Sequence, residues 1–200
     1  MMNGFTQFVL GRKRTLVFFA VMGVLLLAAC RGAGGDLQQS KGHPGVSDLS
    51  NADLRALADS LYARHEYYRA IPVLDECIRR KMSPDEMLFR KGVSLHSIGR
   101  IEDAVQIFLE AVEQNPNHVK AHYNLGATYY ELREFERSIS SYDVARSLEP
   151  TDDQIVYGVA ASQFALGLYA KSRENAETAL RMNPENENAK ALMAMLNARN

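Results

Sequence analysis

The sequence contains few cysteines, no membrane-length apolar run and almost no net charge, and each of these absences excludes a class of protein. Two cysteines, Cys30 and Cys77, cannot form the several disulfides that stabilise small secreted domains. The apolar stretch at residues 16–27 is about 12 residues long, whereas a membrane-spanning helix needs about 20. The formal net charge is −1, without the clustered basic excess of a nucleic-acid-binding surface.

Catalytic motifs are absent as well: the sequence has no G-x-S-x-G, P-loop, H-E-x-x-H or Cys-x-x-Cys pattern. His118 and His122 are four residues apart, but His122 falls on a helix-packing position and His118 in the turn before it. We interpret both as structural, with a metal site as the alternative. Glu131, Glu134 and Glu136 are typical of a solvated rim. We therefore predict no enzyme activity, no metal and no cofactor.

The first 29 residues have the composition of an export signal. Basic residues at 12–14 precede the apolar stretch at 16–27, and Asp and Glu are absent from residues 1–29. A positive segment followed by a short apolar segment is typical of a cleaved signal peptide. Ala28 and Ala29 then supply the slim side chains that a processing protease needs, directly before Cys30.

Leu27-Ala28-Ala29-Cys30 resembles the lipobox of bacterial lipoproteins. The resemblance implies a lipoprotein signal peptide at residues 1–29 and a covalent lipid, with acyl chains such as palmitate, on Cys30. Two or three chains anchor a protein firmly, since each buried methylene contributes about 0.8 kcal/mol. Arg31 stands where an Asp favours the inner membrane, which implies the outer membrane, facing the periplasm. An uncleaved N-terminal anchor or an ordinary signal peptide with a chance cysteine is the alternative.

Residues 31–50 are rich in Gly, Ser and Gln and poor in large apolar side chains. Such a composition buries too little surface to offset the entropy lost on ordering. We predict a flexible tether at residues 30–50, with the lipidated cysteine at its start. About 20 such residues reach roughly 25 Å on average.

From residue 51 onward the sequence repeats with a period of 34 residues, marked by Pro116, Pro150 and Pro184. Each proline ends a unit because it cannot continue a helix. Apolar residues at i, i+4 and i+7 predict two amphipathic helices per unit, and Ser83–Glu86 and Thr151–Gln154 predict capping boxes. Three columns of small residues, which we expect to let paired helices cross closely, are Ala58, Gly92, Gly126, Ala160 and Ala194; Ala70, Ala104, Ser138 and Ser172; and Cys77, Ala111, Ala145 and Ala179.

This pattern resembles the tetratricopeptide repeat (TPR), most closely in residues 119–152. There Leu125-Gly126, Tyr129, Phe135, Tyr142, Ala145 and Pro150 occupy the signature positions. The resemblance implies an all-α TPR solenoid of about four helix pairs plus a C-terminal capping helix. The predicted TPR domain spans 51–200, with repeats at 51–84, 85–118, 119–152 and 153–186 and the capping helix at 187–200.

In this family the first helix of each pair lines the concave side, and its second, fifth, ninth, twelfth and thirteenth residues face ligands. Arg55, Asp59 and Arg90 stand where carboxylate-clamping members need other residues, and Lys120 and Asn124 match only in part. We therefore expect an apolar segment or an amphipathic helix in the groove, with the convex side or the helix edges as the alternative surface. The predicted partner-binding residues are Tyr62, Phe89, Val93, His96, Lys120, Tyr123, Tyr130, Tyr157 and Phe164.

Together these features favour a membrane-anchored scaffold of the bacterial envelope that binds a protein or peptide partner. The architecture resembles lipoproteins that assist pilus secretin assembly, outer-membrane protein insertion or the organisation of cell-wall hydrolases, without choosing among them. A self-assembling structural module, hence a homo-oligomer, is the main alternative. An enzyme or small-ligand carrier is a further one, which would need a closed pocket with convergent titratable groups.

Overall fold

The computed structural model describes residues 45–199. The predicted signal peptide, Cys30 and most of the predicted tether lie outside these residues. Within 45–199 a short 3₁₀ turn at Val46–Asp48 is followed by nine α-helices, and no strand is present. The helices are α1 (Asn51–Ala63), α2 (Tyr67–Arg79), α3 (Pro84–Ser97), α4 (Ile101–Gln114), α5 (Val119–Glu131), α6 (Phe135–Leu148), α7 (Asp153–Ala165), α8 (Tyr169–Met182) and α9 (Glu187–Asn197).

Consecutive helices pack against each other, so that α1 to α8 form four pairs and α9 follows the last pair. The predicted all-α solenoid of four helix pairs plus one helix is confirmed for these residues. The weakest copy of the repeat also forms a complete pair, α1 with α2. None of the helices in residues 45–199 is both long enough and apolar enough to cross a membrane.

The small-residue columns lie at the contact between the two helices of each pair. Ser138 and Ser172 are fully buried, and each hydroxyl donates to the carbonyl of a small residue on the preceding helix, Gly126 or Ala160, at 2.8 Å. These bonds satisfy the buried hydroxyls, which would otherwise destabilise the core. Cys77 is also fully buried, and desolvation raises the pKa of its thiol, so it is a packing residue without reactive character.

In the second and third repeats, an aromatic ring from the second helix fills the space that the small residue of the first helix leaves. A Cβ atom on Gly92 would lie 2.5 Å from Cε1 of Phe108, and one on Gly126 would lie 2.9 Å from the ring of Tyr142. Both rings are almost completely buried. Besides letting the two backbones approach each other, these glycines make room for the two rings.

Both predicted capping boxes are wrong. Ser83 adopts a left-handed backbone conformation (φ 48°, ψ 66°) and makes no side-chain cap, because Pro84 begins the helix directly after a tight turn. At the start of α7 the cap is Asp152 instead of Thr151. Its carboxylate accepts from the backbone N–H groups of Gln154 (2.8 Å) and Ile155 (3.3 Å), which satisfies two donors of the first turn.

Residues 45–50, the end of the predicted tether, pack on the first helix pair. Val46 and Leu49 contact the apolar core between α1 and α2. The guanidinium of Arg80 donates to the carbonyl oxygens of Ser47 (2.8 Å) and Leu49 (2.7 Å). Glu76 holds Arg80 in place through an ion pair of 2.6 Å. The composition of residues 31–50 did not predict this contact, because it depends on an arginine about thirty residues away.

Candidate functional site

The candidate site is the surface formed by the first helix of each pair, which we call the first-helix face. It consists of the outward residues of α1, α3, α5 and α7, continued by α9, and α5 contacts both α3 and α7 directly. Most of the predicted binding residues are half-buried there, with side chains that reach solvent. These are Tyr62, Val93, His96, Tyr123, Tyr130, Tyr157 and Phe164, while Lys120 is exposed.

Phe89 differs from the other predicted residues because its ring packs into the interior. The ring centroid lies 6.3 Å from that of Phe108 and 5.0 Å from that of His118, and only 9% of Phe89 is exposed. The side chain therefore contributes to the core between repeats and offers little surface to a partner.

The part of the face on α1 and α3 is dominated by charge. Arg90 pairs with Asp59 of α1 and donates to Glu86 at 2.7 Å. Its guanidinium also lies 5.3 Å from the ring centroid of Tyr62, within cation–π distance. Arg55 lies 3.8 Å from the same Asp59. We call these five residues the ionic half; their cations are already paired and are not available to clamp a ligand carboxylate.

His96 and Glu131 mark the border between the two parts of the face. Nε2 of His96 on α3 lies 2.9 Å from a carboxylate oxygen of Glu131 on α5. This contact joins the first helices of the second and third repeats at the end of the face away from Lys120.

The part of the face on α5 and α7 is built around Tyr142, which comes from α6 and is 3% exposed. Its ring lies between two glycines: Cβ atoms on Gly126 and Gly158 would approach it to 2.9 Å and 2.6 Å. The ring of Tyr123 meets it edge-on with centroids 5.5 Å apart. Gly158 is outside the 34-residue columns of small residues, so the repeat period does not reveal it.

Tyrosine hydroxyls gather around this core. Burial raises the pKa of Tyr157, and the neighbouring Tyr130 and Tyr123 raise it further. Burial also raises the pKa of Tyr142 well above its ordinary value, again with a contribution from Tyr123, Tyr157 and Tyr130. The phenols are therefore close to one another and remain neutral at physiological pH. Phe164 continues the surface and packs edge-on against Tyr169 at 5.4 Å.

Charged side chains are confined to the edges of this part. Residues 123–130 of α5 and 157–164 of α7 contain no Asp, Glu, Lys, Arg or His. Lys120 and Glu131 flank the stretch on α5, and the guanidinium of Arg199 lies 5.8 Å from the ring centroid of Phe164. We call Tyr123, Tyr130, Tyr157 and Phe164 the aromatic half.

The two candidate metal-ligating histidines have separate structural partners. Nε2 of His122 lies 2.9 Å from the carbonyl oxygen of Pro116, and the residue is buried, as its packing position predicted. Nδ1 of His118 caps α5 by accepting from the N–H of Ala121 at 3.3 Å. In the described part of the chain, no three His, Cys, Asp or Glu side chains converge as metal ligands would.

An enzyme would need a closed pocket with convergent titratable groups, and a surface depression between α2, α3 and α4 can be compared with that requirement. Lys91 and Asp75 line it and form an ion pair of 2.6 Å, and Arg100 and Asp103 pair at 2.5 Å. Its charged groups thus neutralise each other at an open surface and do not form an acid–base pair around a substrate cavity.

Two models of known repeat families match the central part of the chain. A family model described as a tetratricopeptide repeat matches residues 119–152, and a second TPR model matches residues 92–133. The described domain is a TPR solenoid. A TPR repeat-containing thioredoxin of Arabidopsis thaliana is 30% identical over 96 residues, which cover 46% of this chain but only 14% of that protein.

Solved structures agree on the fold. A MamA fragment from Desulfovibrio magneticus RS-1 has a TM-score of 0.70 at 20% identity, covering 78% of this chain and 87% of that one. The first TPR of Spaghetti (RPAP3), solved with an HSP90 peptide, has a TM-score of 0.56 at 19% identity, covering 57% and 91%. At these identities the likeness concerns the fold and does not transfer a ligand.

Proposed function

We propose that this chain is a scaffold of the bacterial envelope whose TPR domain binds a protein or peptide partner on its first-helix face. The observation that carries the proposal is the aromatic half, where half-buried rings stand on rigid helices without intervening charge. Aromatic anchors on a preformed surface are typical of binding hot spots. The TPR of Spaghetti bound to an HSP90 peptide supports peptide docking as a use of this fold.

The proposal includes a lipid on Cys30 that holds the domain at the outer membrane, facing the periplasm. Arg80 holds residues 47–49 on the domain, so the tether predicted from composition would be shortened to about 15 residues, with a reach of roughly 20 Å. Tethering of this kind raises the effective concentration of the face near the membrane, so a modest affinity for an envelope partner suffices.

Affinity capture tests the scaffold function. The tagged full chain is recovered from detergent-solubilised envelopes. Two single variants are treated in the same way: Tyr130→Ala in the aromatic half and Tyr62→Ala in the ionic half. Circular dichroism shows whether both variants are folded. We expect a partner identified by mass spectrometry to be lost from Tyr130→Ala and kept by Tyr62→Ala. A partner retained by both variants would move the site to the convex side or the helix edges.

Intact-mass measurement tests the anchor. We expect the mature chain to begin at residue 30 and to carry a mass increase on Cys30 that a Cys30→Ala variant lacks. A chain that still contains residues 1–29, or an unmodified Cys30, would contradict the lipoprotein assignment. The scaffold function of the TPR domain would be unaffected by that result.

The exposed side of α9 favours self-assembly as the second candidate function. Ala194 belongs to a small-residue column that is buried in the four preceding units, but here it is exposed, and Met195 beside it is 52% exposed. If copies pair through this face, light scattering will show a dimer that Met195→Glu dissociates. A monomer at all concentrations would exclude this alternative.

A further inference from the structure

The turn between the two helices of a pair carries an ion pair in each of the first three units. The residue directly before the second helix pairs with the residue three positions later: Glu66 with Arg69 (2.5 Å), Arg100 with Asp103 (2.5 Å) and Glu134 with Arg137 (2.6 Å). Each pair neutralises its own charges at the surface of its turn. At the same two positions the fourth unit has Leu168 and Lys171, which cannot form an ion pair.

The turn of the fourth unit, between α7 and α8, exposes apolar side chains instead. Leu168 is 44% exposed, and Tyr169, the first residue of α8, is 38% exposed. Among the exposed large apolar side chains of residues 45–199, these are the only two that are adjacent in the sequence. Contiguous exposed apolar side chains are typical of interaction surfaces, whereas single ones are ordinary.

Two cations without carboxylate partners accompany these side chains. The guanidinium of Arg199, beyond the end of α9, lies 4.4 Å from the ring centroid of Tyr169 and forms no ion pair with any residue of 45–199. Lys171 is exposed, and it too forms no ion pair within the described part of the chain. The charges of this turn are therefore free to bind an external anion.

The sequence around this turn contains no acidic residue. Arg173 connects α8 to α9 by donating to the carbonyl oxygen of Leu196 at 3.0 Å, so that the end of α9 lies beside the turn. Residues 154–173 and 188–199, which meet there, include no Asp or Glu. We call the exposed apolar and cationic side chains the fourth-turn patch; they are Leu168, Tyr169, Lys171 and Arg199.

The shape of the patch limits what it can bind. Residues 167–171 form an uninterrupted exposed stretch around a turn at Gly167, whose φ is 77°. Side chains at the tip of a turn project outward, whereas the anchor residues of protein interfaces occupy pockets. A second copy of this chain, paired through the same patch, would place Lys171 and Arg199 against their own equivalents, which repel each other.

The chemistry of the patch matches the surface of an anionic membrane. Tyrosine rings and aliphatic side chains enter the region between the headgroups and the acyl chains. Lysine and arginine bind anionic headgroups, which repay the cations for the partners that they lack in the protein. A fluid lipid surface also adapts to a projecting turn.

We infer that the fourth-turn patch contacts anionic phospholipid, with Leu168 and Tyr169 in the membrane interface and Lys171 and Arg199 on the headgroups. The inference rests on the proposed lipid anchor, because a patch of this size holds a domain only when a tether already keeps it near the membrane. An acyl anchor and a second, electrostatic contact together hold a protein more firmly than either does alone.

Tryptophan fluorescence tests this contact, because the chain contains no tryptophan of its own. The reporter is Leu168→Trp, which keeps an apolar side chain in the patch. Val144→Trp is the control, since Val144 on α6 is 40% exposed but lies outside the patch. Each full chain is reconstituted in nanodiscs of brominated phosphatidylcholine, with and without phosphatidylglycerol. Bromine on the acyl chains quenches a tryptophan that reaches them, and circular dichroism shows whether the chains are folded.

We expect phosphatidylglycerol to increase the quenching of Leu168→Trp but not of Val144→Trp, and added salt to reverse the increase. Adding Lys171→Gln to the reporter should lower the ratio of membrane-bound to free domain about fivefold, because one cation near the anionic surface is lost. Lys81→Gln is the matched control, since Lys81 is exposed and also forms no ion pair in the described chain, but lies between α2 and α3.

Equal quenching in both lipid compositions, or an equal increase for both reporters, would overturn the inference. An emission change that depends on protein concentration in the absence of lipid would also overturn it, because it would indicate contact between copies. Intact mass of the same samples separates the two proposals. Quenching that requires phosphatidylglycerol in a chain with unmodified Cys30 would contradict only the anchor, and a modified chain without such quenching would contradict only the patch.

Discussion

The ionic half and the aromatic half of the first-helix face are built on the same backbone repeat, yet they use it differently. Tyr62 and Tyr130 occupy the same position of their repeats, but Tyr62 lies under the guanidinium of Arg90 and Tyr130 lies edge-on to Phe135, 5.5 Å away. In the ionic half the outward side chains bind each other. In the aromatic half they form a surface of rings without charged side chains between them.

The difference shows two uses of one repeat: holding the neighbouring helix and exposing an apolar surface. Pairs such as Arg90 with Asp59 join neighbouring first helices across the surface and satisfy their own charges. Neutral rings contribute to the core on one side and keep apolar area exposed on the other, as Tyr123 does against Tyr142. A repeat can therefore be devoted to holding its neighbour or to presenting a surface without changing the helices themselves.

The largest effect is expected where the aromatic half is packed most tightly, in Gly158→Ala. The new Cβ would lie 2.6 Å from Cζ of Tyr142, which is buried and cannot move away freely. We expect a loss of about 1–3 kcal/mol in the free energy of unfolding, although alanine has the higher helix propensity. Urea denaturation measures this free energy. When Gly158→Ala is made in a chain that already carries Tyr142→Leu, the loss should be smaller, because the ring that the new Cβ would meet is absent. An unchanged loss would show that the ring is not its cause.

The second-largest effect is expected at alkaline pH, where the free energy of unfolding should fall because of the tyrosines in and beneath the aromatic half. Above about pH 10 the unfolded chain releases protons that the raised pKa values of Tyr142 and Tyr157 keep bound in the folded state, so stability falls as the pH rises. Tyr157→Phe should reduce this fall in urea midpoints between about pH 9 and pH 11. Tyr68→Phe is the control, since Tyr68 is 81% exposed, and an equal reduction by both variants would contradict the assignment.

Removing the central cation of the ionic half should have a smaller effect. Arg90→Met keeps most of the side-chain volume but loses the contacts to Asp59, Glu86 and Tyr62, which are partly exposed to solvent. We expect a loss of about 1 kcal/mol that decreases with added salt. Lys171→Met, at an exposed position on α8, serves as the control. A partner captured through the aromatic half should bind Arg90→Met unchanged; weakened binding would show that the two halves act together.

The smallest effect is expected at the surface ion pairs of the first helix pair. Hydrogen bonds from Arg79 and Arg80 lower the pKa of Glu76 to about 2. Below its ordinary pKa near 4.3, the unfolded chain takes up a proton that the folded chain does not, so this contribution to stability is lost as the pH falls towards 2. Unfolding followed by circular dichroism should show that the stability of Glu76→Gln falls less steeply with decreasing pH than the stability of the native chain. Glu110→Gln, at an exposed position on α4, is the control, and equal slopes for the native chain and both variants would exclude Glu76 as the cause.

Much of the fold follows from the sequence because neighbouring residues generate it. The 34-residue period, the apolar spacing within each unit and the terminal prolines depend on residues close together in the chain, and they predicted all four helix pairs and the helix after them. The aromatic surface was also predictable, since Tyr123, Tyr130, Tyr157 and Phe164 recur at fixed positions. Failure of the capping boxes at Ser83 and Thr151 shows the limit of short motifs where the turn geometry is set by its neighbours.

Only the tertiary structure could show which of these residues face inward and which charges are already paired. Phe89 occupies a predicted binding position but is buried by Phe108 and His118, and Gly158 matters only because Tyr142 of the preceding unit reaches it. Arg90 meets Asp59 across 31 residues, and Arg80 holds residues 47–49 across a similar distance. The 34-residue period predicts which helix carries a side chain. Its burial and its ionic partners depend on the neighbouring unit that packs against that helix.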